Sequence, residues 1–403
     1  MIKLKPLLIA AGYGGLSGML TAAVLAAMEA LSALLWQGEP SPWRSFLTIA
    51  AGGALIALLR VIGGGDEPDL AAQLQQARTP QALHRRQIAL LAAMAIVAVA
   101  FGGAVGPEAG TLAVVAELSA WVALAIGRSQ DERALIGEAG AAGALGAIYG
   151  SPPGGLLVAE GAPTAQAARD GDAGPRRALL LLAAVAGLGG FHWVRHALLH
   201  GGDVRVQLPA YVVADNAQDL LPAVLPALLG GLAGLAFVTL LPWLRRQLAR
   251  CGGVVVQTLV GSLAFAALAT AWPILRHSGH HQIDALLAWG QGAGWAALLL
   301  LAGLKVLALV LCLASGWRGG AIFPLIFAGA AAGGAALALQ PQANPTLALV
   351  AGIAAATTVG IGKPAAALLI VALLIAPLAP APLLVGALVG YGLARLGPAP
   401  SLH

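Results

Sequence analysis

At Ser315-Gly316-Trp317-Arg318-Gly319-Gly320-Ala321-Ile322-Phe323-Pro324 a long apolar run is broken by three glycines, an arginine and a proline. It then resumes as Leu325-Ile326-Phe327-Ala328-Gly329. A helix that crosses a bilayer in one piece has no use for such a break. A helix that begins partway through exposes N–H groups with no intrahelical acceptor. That end carries roughly half a positive charge and suits an anion. Glycine lets the backbone approach a ligand closely, and proline fits the first helical turn. The stretch therefore reads as a helix N-terminus buried in a membrane and aimed at an anion.

A second copy lies upstream. Gly102-Gly103-Ala104-Val105-Gly106-Pro107 and Gly319-Gly320-Ala321-Ile322-Phe323-Pro324 share the pattern Gly-Gly-Ala-aliphatic-x-Pro. Further on, Gly150-Ser151-Pro152 is matched by Gly362-Lys363-Pro364, each opening another apolar run. Repeated Gly/Pro-broken apolar segments at corresponding positions mark repeat-built transporters.

Composition places the chain in a membrane. Of 403 residues, 59% are hydrophobic and 10% charged, against about 25% charged in soluble domains. The chain reads as one polytopic bundle, with 54 glycines for close helix packing. The net charge of +5 sits in loops and suits a cytoplasmic membrane face rather than nucleic acid. Cys251 and Cys312 form neither a metal spacing nor a disulfide framework and read as inert thiols in apolar surroundings. Met1-Ile2-Lys3-Leu4-Lys5 has the look of a signal-peptide start, but the apolar stretch behind it is long enough to be the first helix.

Taken in order, the apolar pattern predicts helices over 6–36, 45–62 and 88–101, then from Pro107 to Gly127, and over 134–149, 153–161 and 178–200. Residues 201–219 read as an exposed connection. The second half predicts helices over about 220–243, 254–272, 285–314 and 325–340, with broken segments out to Tyr391. This gives a first membrane repeat at 1–200, a second at 220–396, and a short tail at 397–403.

These residues resemble the chloride channel/transporter (CLC) family. Ser315-Gly316-x-x-Gly319-Gly320-x-Ile322-Phe323-Pro324 is similar to the family's Gly-Gly-Ile-Phe-Ala-Pro segment. Gly103-Ala104-Val105-Gly106-Pro107 is similar to Gly-Arg-Glu-Gly-Pro, and Tyr149-Gly150-Ser151-Pro152-Pro153-Gly154-Gly155 to Phe-Asn-Ala-Pro-Leu-Ala-Gly. Gly64-Gly65-Asp66-Glu67-Pro68 takes the place of Gly-Ser-Gly-Ile-Pro. The wording resembles a small bacterial branch of ion-transport or ion-channel proteins. The resemblance implies an all-α polytopic fold with two inverted repeats and broken half-membrane helices. It also implies a homodimer in a bacterial inner membrane, with one pore per subunit and no cofactor. Its cargo would be a small inorganic anion, chloride in the first instance. The implied anion-binding residues are Ala104, Val105, Gly106, Gly320, Ala321, Ile322 and Phe323, with Gly64, Gly65, Glu108, Glu160 and Arg318 along the path.

The departures bear on mechanism. The family's gating glutamate falls on Val105, its anion-contacting serine on Gly65, and its internal proton-transfer glutamate on Ala162. No counterpart of the family's last helix, with its pore tyrosine, precedes Ser401-Leu402. The reading is therefore a passive pathway. The alternatives are a proton-coupled exchanger using relocated Glu108 and Glu160, or a carrier of another anion such as fluoride. Glu108 in a first helical turn also serves as a dipole partner. Glu138 and Glu160 lie in apolar helices, where carboxylates mark function by default. Asp66 and Glu67 are expected in a solvated vestibule. His192, His196 and His200 share one helix face, which suits an interfacial stripe better than zinc. His277, His280 and His281 read as a loop. A membrane-embedded hydrolase built on the stripe is the competing class, and it lacks a neighbouring carboxylate.

Overall fold

The structure, a computed structural model, describes residues 4–38, 41–63, 85–160, 173–199, 205–212 and 217–398. The α-helices among them fall into two successive sets. The first comprises α1 (Leu4–Leu35), α2 (Pro42–Gly63), α3 (Arg85–Ala100), α4 (Glu108–Ile126), α5 (Gln130–Ile148), α6 (Pro152–Ala159) and α7 (Ala173–Trp193). The second comprises α8 (Val224–Ala249), α9 (Val254–Ala271), α10 (Ile283–Ala314), α11 (Ile322–Leu339), α12 (Pro345–Ile361), α13 (Pro364–Leu374) and α14 (Pro380–Ala394). Among the described residues eight helices are long and apolar enough to cross a bilayer, so this is a multi-pass membrane protein. The helices at 134–149 and 325–340 start four and three residues earlier than predicted, because polar or proline-bearing first turns carry little apolar signal.

Local chemistry explains the breaks. Ser129 caps α5 by accepting the Glu132 N–H, and the Glu132 carboxylate accepts the Arg128 N–H just outside the helix. After Tyr149 the chain turns through Gly150 at φ 59°, and Ser151 caps α6 ahead of Pro152. The second repeat does the same through Gly362 at φ 68° and Pro364. The helices so started, α6 and α13, have 8 and 11 residues, about 12 and 17 Å of rise. Neither can cross a bilayer, so both are half-membrane helices.

The described residues group into two compact units, one within 1–30, 66–93 and 108–204, the other within 31–65, 94–107 and 205–403. In the first, α1, α5 and α7 meet at small residues. A Cβ on Gly18 would lie 1.8 Å from the Gly187 oxygen, and one on Gly143 2.6 Å from the Gly14 oxygen. In the second, α8, α11 and α12 converge on Gly352 in the same way. Such contacts replace apolar driving force in lipid with close backbone packing.

Two expectations are corrected. Part of the 201–219 connection is packed, not exposed: Val206–Gln207 pairs in parallel with Ile375–Ala376, and Val206 and Leu208 are buried. Thr346 Oγ1 also donates to the Pro209 oxygen at 2.6 Å. Cys251 is exposed, whereas Cys312 is buried.

Candidate anion site

Each break begins as a helix end. At the end of α3 the Gly102 N–H donates to the Val99 oxygen and the Gly103 N–H to the Ala98 oxygen, with Gly102 at φ 87°. At the end of α10 the Trp317 N–H donates to the Cys312 oxygen, with Gly316 at φ 92°. Both are left-handed glycine caps. In each, the left-handed glycine stands six positions before the first residue of the next helix, Glu108 or Ile322. This register pairs Gly102 with Gly316, not with Gly319 as the shared Gly-Gly-Ala motif suggests. The sequence match is three positions out of step.

The correct register brings two equivalent residues together. Gly106 N–H donates to the Gly320 oxygen at 2.8 Å, and Gly320 N–H donates to the Gly106 oxygen at 2.9 Å. The reciprocal pair is the hydrogen-bonded pair of an antiparallel bridge. Around it, the Val105 side chain lies against Gly319, where a Cβ would come within 2.4 Å of Val105 Cβ. The Trp317 ring covers Gly103, donates Nε1–H to Ser262 Oγ at 2.8 Å, and meets Phe265 edge-on. The Ala104 N–H bonds the Cys312 thiol.

Three of the seven residues expected to bind the anion through their amides, Ala104, Gly106 and Gly320, thus direct those amides to protein acceptors. The others are Val105, Ala321, Ile322 and Phe323, all buried. Ala321 and Ile322 stand at the opening of α11, where backbone N–H groups point out of the helix. Arg318 is partly buried in the same turn. Ahead of it, Arg60 closes over Gly316 and donates to Thr258 Oγ1 at 2.8 Å and to the Ser315 oxygen at 3.4 Å.

The loop from Pro273 to Gln282 ties both openings together. His277 N–H donates to the Gly102 oxygen at 3.0 Å, and the His280 ring lies 4.2 Å from the Phe323 ring. His280 is buried and its Nδ1 bonds Ser278 Oγ at 2.8 Å. Beneath the loop sits Lys305, fully buried on α10. Its Nζ donates to the Leu275 oxygen at 3.1 Å and the His277 oxygen at 2.7 Å, 5.0 Å from the Phe327 ring centroid. Sequence reading passed over this lysine. The signal was available, since Lys305 is the one charged residue in the apolar run from Gly292 to Ala314.

The carboxylates are dispersed. Glu108 opens α4 and is fully buried in its own unit, alongside the equally buried Tyr149. Glu138 pairs with Arg176 at 2.8 Å and Glu160 with Arg177 at 2.9 Å. His192 and His196 stack at 5.6 Å, where α7 passes into a π-helical turn. Gly64, Gly65, Asp66, Glu67, Ala162 and His200 lie outside the described residues.

Half-membrane helices, a repeated pair of helix openings and a staple between them define an all-α, inverted-repeat membrane transporter. Residues 62–395 match the family described as voltage gated chloride channel, and the chain belongs to that family of anion transporters. It is 28% identical over 342 residues to the "Putative ion-transport protein YfeO" of Escherichia fergusonii, covering 80% of this chain and 77% of that one, and equally to the protein of the same name from Shigella flexneri. Among solved structures, a slow cyanobacterial Cl-/H+ antiporter superposes with a TM-score of 0.81 at 17% identity, over 99% of this chain and 96% of that one. A CLC-type fluoride/proton antiporter gives 0.77 at 17% identity, over 98% of each chain.

Proposed function

We propose that the protein is a passive pathway for chloride across a bacterial inner membrane. It is built from two repeats, 1–200 and 220–396, and works as a homodimer with one pore per subunit. The observation that carries the reading is Val105 packed on Gly319 beside the Gly106–Gly320 staple. Coupled exchange needs a group at the crossing that takes up a proton and competes with the anion, and valine does neither. The anion is held by the amides of Val105, Ala321 and Ile322, with the α11 opening supplying the favourable dipole. The pairing of subunits rests on family membership, and cross-linking in membranes that returns only monomers excludes it.

The test is reconstituted flux followed with a chloride electrode and a proton-sensitive dye. Chloride efflux without proton movement is expected. Uphill proton movement driven by a chloride gradient rejects the passive reading. The second reading is a proton-coupled exchanger, with chloride or fluoride as cargo. Glu108 favours it, as a fully buried carboxylate at a helix opening, and the two solved structures above are of proton-coupled antiporters.

A further inference from the structure

We infer that Lys305 supplies the positive charge that makes this path selective for anions. The inference rests on the proposed anion-transport reading. Lys305 is fully buried, thirteen residues into the span from Gly292 to Ala314. Among the described residues no carboxylate pairs with it. Its hydrogen-bond partners are two neutral carbonyls, those of Leu275 and His277. A buried cation without a counter-charge is costly in protein and more so in a membrane. A permeating anion would supply the counter-charge that no described residue provides.

Its placement is tied to both openings. Lys305 holds the His277 carbonyl, and the His277 N–H holds Gly102, three residues before Val105. On the other side Lys305 faces Phe327, five residues or about 7.5 Å of helix rise past Ile322. At an effective dielectric near 20, a unit charge roughly 10 Å from a bound anion changes its occupancy about tenfold. The ordinary reading is that Lys305 merely staples the loop at 275–277 to α10. Charge and stapling are separable, because a glutamine amide has two N–H donors and no charge.

The experiment compares the full-length wild type with Lys305→Gln and Lys305→Arg in liposomes. It reads chloride flux, the chloride-to-potassium permeability ratio from reversal potentials, and thermal unfolding in detergent. Expected are a folded Lys305→Gln with chloride flux and permeability ratio both reduced at least tenfold, and a Lys305→Arg within threefold of wild type. A folded Lys305→Gln within twofold of wild type in both readouts overturns the inference and leaves the lysine as a staple. If the glutamine variant does not fold, the arginine variant decides. Arginine that is folded and conducts with an unchanged permeability ratio supports the charge role; arginine that is folded and silent overturns it. A wild type that carries no chloride rejects the transport reading itself, a result distinct from all of these.

Discussion

The openings of α4 and α11 are built by one device and finished differently. Both follow a left-handed glycine cap, both reach their helix six positions later, and Gly106 and Gly320 bind each other across the turn. The first helical residue of α4 is Glu108, fully buried, whereas that of α11 is the apolar Ile322. A helix N-terminus favours negative charge. The α4 opening brings its own carboxylate, and the α11 opening brings none. On the proposed reading, the α11 opening is the one whose dipole is left to favour the anion, with the Val105 amide beside it. The repeat thus supplies one scaffold that its two halves finish with different first residues.

The largest effect should come from breaking what the two halves share. Gly319→Ala puts a Cβ 2.4 Å from Val105 Cβ and 2.7 Å from the Gly106 oxygen. Overpacking of this kind costs ~1–3 kcal/mol, and here it pries the staple apart. Chloride flux should fall more than tenfold, with a lower melting temperature. Adding Val105→Gly removes the side-chain clash but not the backbone one, so it should restore part of both. Absence of coupling between the two substitutions would show that the staple does not hold the openings together.

Next in size is a change to the α11 opening alone. Ile322→Pro deletes one N–H at the first helical position, where proline fits the helix but strains Ala321, which sits at φ −95° and ψ −15°. A hydrogen bond to a charged group is worth ~1.5–3 kcal/mol, so chloride affinity by calorimetry should weaken by at least about tenfold. Unchanged affinity in a folded variant would remove the Ile322 amide from the site.

Much of this contrast was legible in the sequence, and the reasons for the exceptions are local. Glycine and proline punctuate helices by backbone geometry alone, so both breaks and both short helices could be read directly. Register could not be read the same way. In a chain with 54 glycines a short Gly-Gly-Ala match is easily three positions out, and only the φ of Gly102 and Gly316 corrects it. That amides of Gly106 and Gly320 engage each other is a long-range pairing that periodicity does not encode. The loop at 273–282 looked polar, yet His280 is buried because it packs on Phe323. Lys305 was visible as an isolated cation, but its two carbonyl partners lie 28 and 30 residues away.

A third, smaller effect sharpens the contrast from the α4 side. If Glu108 serves its own helix, Glu108→Gln should remove ~0.3–1 kcal/mol of dipole stabilisation, seen as a slightly lower melting temperature. Chloride flux should stay within threefold of wild type. A wild type that moves protons uphill, with coupling abolished in Glu108→Gln, would instead make the α4 carboxylate a proton carrier and reverse the assignment of the two halves.

The smallest effect concerns the far ends of the two half-membrane helices. The α6 end runs into Glu160, whose carboxylate accepts from Arg177 Nε at 2.9 Å. The α13 end runs into Ile375–Ala376, which pairs with Val206–Gln207 and has no acid. A proton relay would make Glu160 indispensable to one half. The pair's exposure argues otherwise, since the Arg177 side chain is 61% and the Glu160 side chain 19% accessible. Exposed pairs contribute from nothing to about 1 kcal/mol, and solvent screening on the arginine side puts this one at the lower end. Glu160→Gln should therefore leave the melting temperature nearly unchanged and chloride flux within twofold, at neutral and acidic external pH alike. Arg177→Gln should behave the same way, because either change removes the same weak pair. A large flux loss in Glu160→Gln alone, with Arg177→Gln silent, would give the carboxylate a role beyond the ion pair and place a proton step on the α6 side.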